Sequence, residues 1–333
     1  MNNGFIHNQT AHCETGMTIN LLRNAGLPIS EAMVFGIGGG LFFGYFPFIR
    51  VADLALVTYR SWPGTIFKNA VKRLGGQYKT VSYRRAEEAE AELDRIIAAG
   101  VPVGVRTGMY WLPYIAASQR VQFNAHHLVV FAKEGDEYLI SDSVMPGVVR
   151  CDAKDVRRAR FSPGAMAPRG RMYYPTLIPK DVDWASAILP AIRGVCDLMA
   201  GFPFPIIGVA GMRFLASRMV KWPQRMNQRR AMLQLGLMIR AQEEWGTGGA
   251  GFRYIYAAFL QEAGGILKKP ALAEMSRDLT AIGDRWREFA VLASRICKER
   301  SEDATPYLGL SVALLEIAGR ERQFYRNLRE ASL

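Results

Sequence analysis

Histidine is scarce in this chain. Its 333 residues hold four, His7, His12, His126 and His127, so imidazole chemistry can come from only two places. Cysteine is equally scarce. Cys13, Cys151, Cys196 and Cys297 lie far apart and form no C-x-x-C pair, which argues against a zinc ribbon and against a disulfide framework. The opening MNNGFIHNQTAHCE lacks the basic stretch and apolar run of a secretory signal, so a reducing cytoplasm, where free thiols survive, is the expected location. Long apolar runs are missing as well. Between residues 185 and 220 charges thin out, but the longest charge-free run, Leu198 to Met212, falls short of the ~20 residues of a membrane span. Pro203 and Pro205 also interrupt it, so two buried helices joined by an FPFP turn are expected. Acid is in deficit: 30 Asp and Glu face 42 Lys and Arg, a net charge of +12. That excess favours acidic partners. No zinc finger, helix-turn-helix or aromatic RNA-binding motif accompanies it, so nucleic acid is not the expected partner.

What is present divides the chain in two. Met17, Leu21, Leu22 and Ala25 recur at helical spacing after Cys13, and Gly26 stops that helix. SEAMVFGI reads as a second short helix, ended by the glycines at 36 and 38–40. GIGGG lacks the Lys-Ser or Lys-Thr of a phosphate loop and is expected to pack its backbone close to the first helix. Strands are expected at 54–59, 77–83, 101–106, 126–132 and 137–143, and helices at 64–74 and 85–99. KEGD between the last two strands is a turn centred on glycine. Beyond about Asp181 strand signals vanish and helical periodicity continues to the end. The expected fold class is therefore α+β, with a helix-plus-antiparallel-sheet domain at 1–175 and an all-α helical domain at 181–333. The Pro- and Arg-rich stretch 162–180 holds the boundary.

Cys13 stands where a helix begins. The free N–H groups and positive dipole end there favour a thiolate over the ordinary thiol of pKa ~8.5. Such a nucleophile needs a base. His126 and His127 open one strand and Asp142 closes the next. In an antiparallel pair the start of one strand lies beside the end of the other, so the carboxylate can orient an imidazole. Side chains alternate across a strand, so only one of the two histidines can face Cys13. His126 is preferred, with His127 as the alternative base. His12 either packs under the helix start or contacts substrate. The order Cys, His, Asp on a helix followed by a sheet suits a papain-like cysteine enzyme.

The stretch from His12 to Tyr45 (H-C-E-T, then G-L-P-I-S-E-A-M-V-F-G-I-G-G-G-L-F-F), Y-W-L-P-Y at 110–114 and H-H-L-V-V-F with its following Asp together resemble the N-terminal domain of the butirosin biosynthesis protein H family. That family is similar to bacteriocin-processing cysteine peptidases and shares the papain-like fold. The helical half, with E-E-W-G-T-G-G-A-G-F-R-Y at 243–254, resembles the helical domain that follows it in this family, so the resemblance covers nearly the whole chain. The 16-residue separation of His126 and Asp142 also resembles the peptidases. The resemblance implies acyl transfer from an acyl-carrier-protein thioester to an amine, an aminoglycoside in the family's namesake. Cys13 would attack and hold the acyl group, His126 would move the protons, and Asp142 would orient His126. The donor would ride on the phosphopantetheine arm of an acidic carrier protein, the acceptor would be a small amine, and no cofactor or metal would be bound. A homodimer is possible.

Two departures stand out. The related peptidases carry an oxyanion-hole glutamine six residues before the cysteine, where this chain has His7; Gln9, four before, is the candidate donor beside the Cys13 N–H. The acidic residue that often precedes Y-x-L-P-Y is absent from T-G-M-Y-W-L-P-Y, which argues against a polycationic acceptor. Tyr110, Trp111 and Tyr114 are candidates for an acyl pocket. GTGGAG matches a dinucleotide fingerprint in letters only, because a helix precedes it. Gly248 and Gly249 with Arg253 are instead candidates to hold a phosphopantetheine phosphate. The rival functions are a hydrolase using the same cysteine and a non-catalytic module that binds a carrier protein.

Overall fold

The computed structural model describes residues 4–51, 53–299 and 305–333. In chain order the elements are α1 (Cys13–Asn24), α2 (Glu31–Ile37), β1 (Leu41–Val51), β2 (Leu54–Arg60), α3 (Thr65–Arg73), β3 (Gln77–Val81), α4 (Ala86–Ala98), β4 (Val103–Thr107), β5 (His126–Glu134), β6 (Glu137–Ser141), β7 (Val149–Asp152), α5 (Ala153–Arg160), β8 (Met172–Leu177), α6 (Trp184–Cys196), α7 (Gly208–Met219), α8 (Trp222–Met226), α9 (Gln228–Glu243), α10 (Arg253–Leu267), α11 (Pro270–Cys297) and α12 (Pro306–Ala331). They form two compact units. One comprises the chain up to Val34 with Pro63–Asp183, the other Phe35–Trp62 with Trp184–Leu333. The division differs from two consecutive segments in one respect: the hairpin β1–β2 counts with the helices of the second unit.

The first unit is an α+β arrangement built on a six-stranded antiparallel sheet of order β3-β8-β4-β5-β6-β7. Its central strand β5 is buried from His126 to Ala132 and shows no apolar–polar alternation, because both faces are covered. On one face α1 sits so close that a Cβ on Gly104 would lie 2.5 Å from Met17 Sδ. On the other, Leu93, Ile96 and Ile97 of α4 pack against Val103, Val105, Leu128 and Val130. Strand β8 runs through the stretch expected to be a linker. Pro175 faces only Tyr78 of β3, because β8 pairs with β4 at Tyr173 and Met172 alone, so no ladder bond to β4 is lost at the proline.

The second unit is helical apart from β1–β2. Strand β1 was masked in the sequence by glycine and proline, and the register explains how it tolerates them: the pairing slips between Leu41 and Gly44 and again between Phe46 and Arg50, the second slip containing Pro47. The glycines before β1 were expected against the first helix. Instead, a Cβ on Gly36 would strike the Phe259 ring at 2.0 Å, and one on Gly40 the Phe35 ring at 2.4 Å, both within the second unit. Its core holds one fully buried polar knot. Arg253 donates to both carboxylate oxygens of Glu321 at 2.9 and 3.1 Å, and Trp286 Nε1 donates to the same carboxylate at 2.7 Å. Among the described residues no helix is long and apolar enough to cross a membrane.

Candidate active site

Cys13 is the first residue of α1, and its surroundings define where that helix starts. His12 is the N-cap: it is buried, and its Nδ1 accepts from Thr15 N at 3.4 Å. The Glu31 carboxylate accepts the two amides just upstream, Ala11 N at 3.1 Å and His12 N at 2.9 Å. Burial raises the Glu31 pKa, against the opposing pull of those amides. Glu14, buried one residue past the nucleophile, accepts from Ile66 N at 2.9 Å and Phe67 N at 3.3 Å. It thereby satisfies two open N–H groups in the first turn of α3 and ties the two helix starts together.

The segment before Cys13 is laced to the loop after β6. Thr10 N donates to Ser143 O at 2.8 Å. His7 Nε2 donates to Met145 O at 3.0 Å, which leaves Nδ1 to accept from Ser141 Oγ at 2.7 Å. Gly16 makes the approach possible: a Cβ there would sit 2.1 Å from Thr10 Oγ1 and 2.2 Å from Ser143 Oγ. The loop so held carries Asp142.

His126 opens β5 opposite Thr107, and its Nε2 lies 2.7 Å from Asp142 Oδ2. Both side chains are buried. Tyr114 Oη donates to the same oxygen at 2.9 Å, and Val144 N donates to Oδ1 at 3.3 Å. With Nε2 committed to the carboxylate, Nδ1 is the nitrogen that can serve the thiol. Burial works to raise the Cys13 pKa, but the neighbouring imidazoles of His126 and then His127 outweigh it and bring it down to about 5. Burial works to lower the His126 pKa, but the Asp142 carboxylate beside it, with Cys13, lifts it to about 10. Between those values Cys13 and His126 stand as thiolate and imidazolium, the form in which a cysteine attacks without a separate deprotonation.

The structure brings together Cys13, His126 and Asp142, and it adds Tyr114, expected as pocket lining, as a donor to the carboxylate. His127, on the next position of the strand, is fully buried; neither ring nitrogen has a hydrogen-bond partner among the described residues, and the ring packs 5.5 Å from that of Tyr173. It lacks the carboxylate that orients His126.

His12 takes the first of its two expected roles, at the helix start as its cap, and not the substrate contact. Three expectations are corrected. Gln9 is exposed, and its amide makes no hydrogen bond among the described residues; His7, at the position of the peptidase glutamine, spends its one N–H on Met145 O. Tyr110 and Trp111 pack edge to face at 5.2 Å, with the Arg158 guanidinium 4.9 Å over Trp111, so they form a stack instead of joining Tyr114 at Asp142. At Gly248 and Gly249 the phosphate cradle fails on charge. Arg253 is consumed by Glu321, Gly249 N donates to Thr247 Oγ1 at 3.0 Å, and the Glu243 carboxylate accepts from Ala250 N at 3.2 Å where the anion would sit. The roles of Glu14 and Glu31 were missed. Their partners are backbone amides, in α3 for Glu14 and ahead of α1 for Glu31, which no local pattern announces.

Fold and site together place a helix-start cysteine and a buried His–Asp pair on one helix-and-sheet unit. The family model described as "Butirosin biosynthesis protein H, N-terminal" matches residues 12–143, a span that opens one residue before Cys13 and closes one after Asp142. A second, described as a domain of unknown function (DUF4872), matches residues 154–328, more than half of the chain. The chain belongs to the family defined by the DUF4872 domain, and over residues 12–143 it is similar to the N-terminal domain of butirosin biosynthesis protein H. A crystal structure described as a C39-like peptidase from Bacillus anthracis is 14% identical and covers 55% of this chain and 98% of its own, at a TM-score of 0.36. At that score the likeness adds nothing to the geometry. A search of curated proteins gave no match.

Proposed function

We propose that the protein is a cysteine-dependent acyltransferase that takes an acyl group from a carrier-protein thioester and passes it to an amine. The observation that carries this reading is the buried His126–Asp142 pair, 2.7 Å apart, beside a cysteine whose thiol ionises at about 5. In the first half-reaction the Cys13 thiolate adds to the thioester carbonyl. The Cys13 backbone N–H, at the open end of α1, is the donor for the oxyanion. Collapse breaks the bond to the pantetheine sulfur, and His126 gives that sulfur its proton. In the second, the amine adds to the acyl-cysteine, neutral His126 takes its proton, and the Cys13 thiolate leaves. Asp142 holds His126 in one tautomer through Nε2, and Tyr114 holds Asp142.

Two further observations support transfer from a carrier. The match to the N-terminal domain of a biosynthesis protein spans the whole candidate site. The net charge of +12 attracts acidic macromolecules and raises their encounter rate, which suits an acidic carrier. The site needs Cys13 as a free thiol, which fits a reducing cytoplasm. The test is product analysis. Acyl-carrier thioesters are incubated with enzyme and a panel of small amines, and amide is separated from free acid. Amide formation that depends on Cys13 supports the proposal; free acid alone, at the same rate with and without amine, makes the enzyme a hydrolase.

A further inference from the structure

Some exposed arginines of this protein sit against acid: Arg85 with Glu88, Arg95 with Glu92, Arg150 with Glu134, Arg240 with Glu244 and Arg285 with Glu288. Three others gather in one place in the second unit. Arg50 at the end of β1, Arg225 on α8 and Arg230 on α9 line a single concavity of about 600 Å³, with Met226 and Asn227 completing the wall. Arg230 donates to Asp53 Oδ2 at 2.6 Å and to Asp53 O at 2.8 Å. The guanidiniums of Arg50 and Arg225 make no hydrogen bond or ion pair among the described residues. Three cations against one carboxylate leave the pocket with two uncompensated positive charges.

We propose that this pocket binds the phosphoryl group of an organic phosphate ester. Guanidinium forks match phosphate oxygens two at a time, and a surplus of two charges suits a phosphate dianion better than a single carboxylate. The volume exceeds what inorganic phosphate fills, so there is room for the organic part. The first turn of α9 carries Arg229 and Arg230 and no acid, although the positive end of a helix disfavours cations; an anion relieves that placement.

The experiment is calorimetric titration of the full chain carrying Cys13→Ala, so that no acyl chemistry intervenes. The probes are 4′-phosphopantetheine, pantetheine and inorganic phosphate. Phosphopantetheine is expected to bind, and pantetheine to bind at least about tenfold more weakly. The double variant Arg50→Gln, Arg225→Gln should lose about 10- to 100-fold in affinity. Both arginines are exposed, so the fold is undisturbed; Arg85→Gln removes an exposed, paired charge elsewhere and should change nothing. Equal binding of pantetheine, or unchanged binding by the double variant, overturns the site. Inorganic phosphate binding as tightly as phosphopantetheine overturns the proposal that the ligand is an organic ester. Acyl-Cys13 formation is scored separately on otherwise unaltered enzyme, so a failed pocket with intact acylation leaves the acyltransferase reading standing.

Discussion

Replacing His126 with alanine should lower the low-pH reactivity of Cys13, and the size of the effect follows from the site. With a pKa of about 5, Cys13 is about nine-tenths thiolate at pH 6. An ordinary thiol of pKa ~8.5 is about 0.3% ionised there, roughly 300-fold less. Lower basicity also makes a weaker nucleophile; a Brønsted slope of about 0.4–0.5 over those ~3.5 units returns a factor of about 25–60. The net expectation is alkylation of Cys13 about tenfold faster than a free thiol at pH 6, on a profile that falls as pH drops through about 5. His126→Ala removes the largest force opposing burial. The midpoint should then rise by at least about 3 units, and alkylation at pH 6 should slow by about tenfold or more. The assay is intact-protein mass spectrometry after short iodoacetamide pulses from pH 4 to 9. The other cysteines serve as internal controls: burial pushes Cys151 and Cys196 up to about 12 and also raises Cys297, so one adduct is expected. A wild-type midpoint near 8, or a His126→Ala profile that overlays wild type, refutes the ion-pair argument.

Four further outcomes follow from the same geometry. Asp142→Asn removes the charge that holds His126 up to about 10, so the basic limb of the rate profile should move down in pH and kcat should fall by at least about 100-fold. Tyr114→Phe removes one of three donors to Asp142 and should cost about tenfold in kcat with KM little changed, read by steady-state kinetics. Gly16→Ala forces a methyl into space held by Thr10 and Ser143; thermal melting should show a loss of about 1–3 kcal/mol, with Asn8→Ala as a milder comparison on the same strap. Glu321→Ala strands Arg253 and the Trp286 N–H in the second unit and should cost about 3–5 kcal/mol in denaturant unfolding, whereas Glu321→Gln should recover part of it.

The parts of the site that could be read from the chain are those whose chemistry has a local signature. Cys13 precedes an apolar periodicity and so marks a helix start; His126 and Asp142 bound two strands joined by a glycine turn, and that spacing alone makes them neighbours. What stayed hidden depends on contacts made far along the chain. Arg253 looked available because its partner, Glu321, lies 68 residues on. Tyr114 looked like an aromatic wall because nothing nearby in sequence told of Asp142. His12 escaped as a helix cap because the residues that usually cap are Ser, Thr, Asp and Asn. Strands β1 and β8 were obscured by Pro47 and Pro175, which the fold absorbs in a register slip and beyond the shared ladder with β4.

The account stands or falls on whether Cys13 carries the acyl group. Wild-type enzyme and Cys13→Ala would be mixed with a panel of acyl-carrier thioesters, quenched within seconds, and analysed as intact protein and as the peptide containing residue 13. The account predicts a mass gain equal to the acyl group on wild type alone, located at Cys13 and discharged by added amine. Donor turnover by Cys13→Ala at the wild-type rate would contradict it.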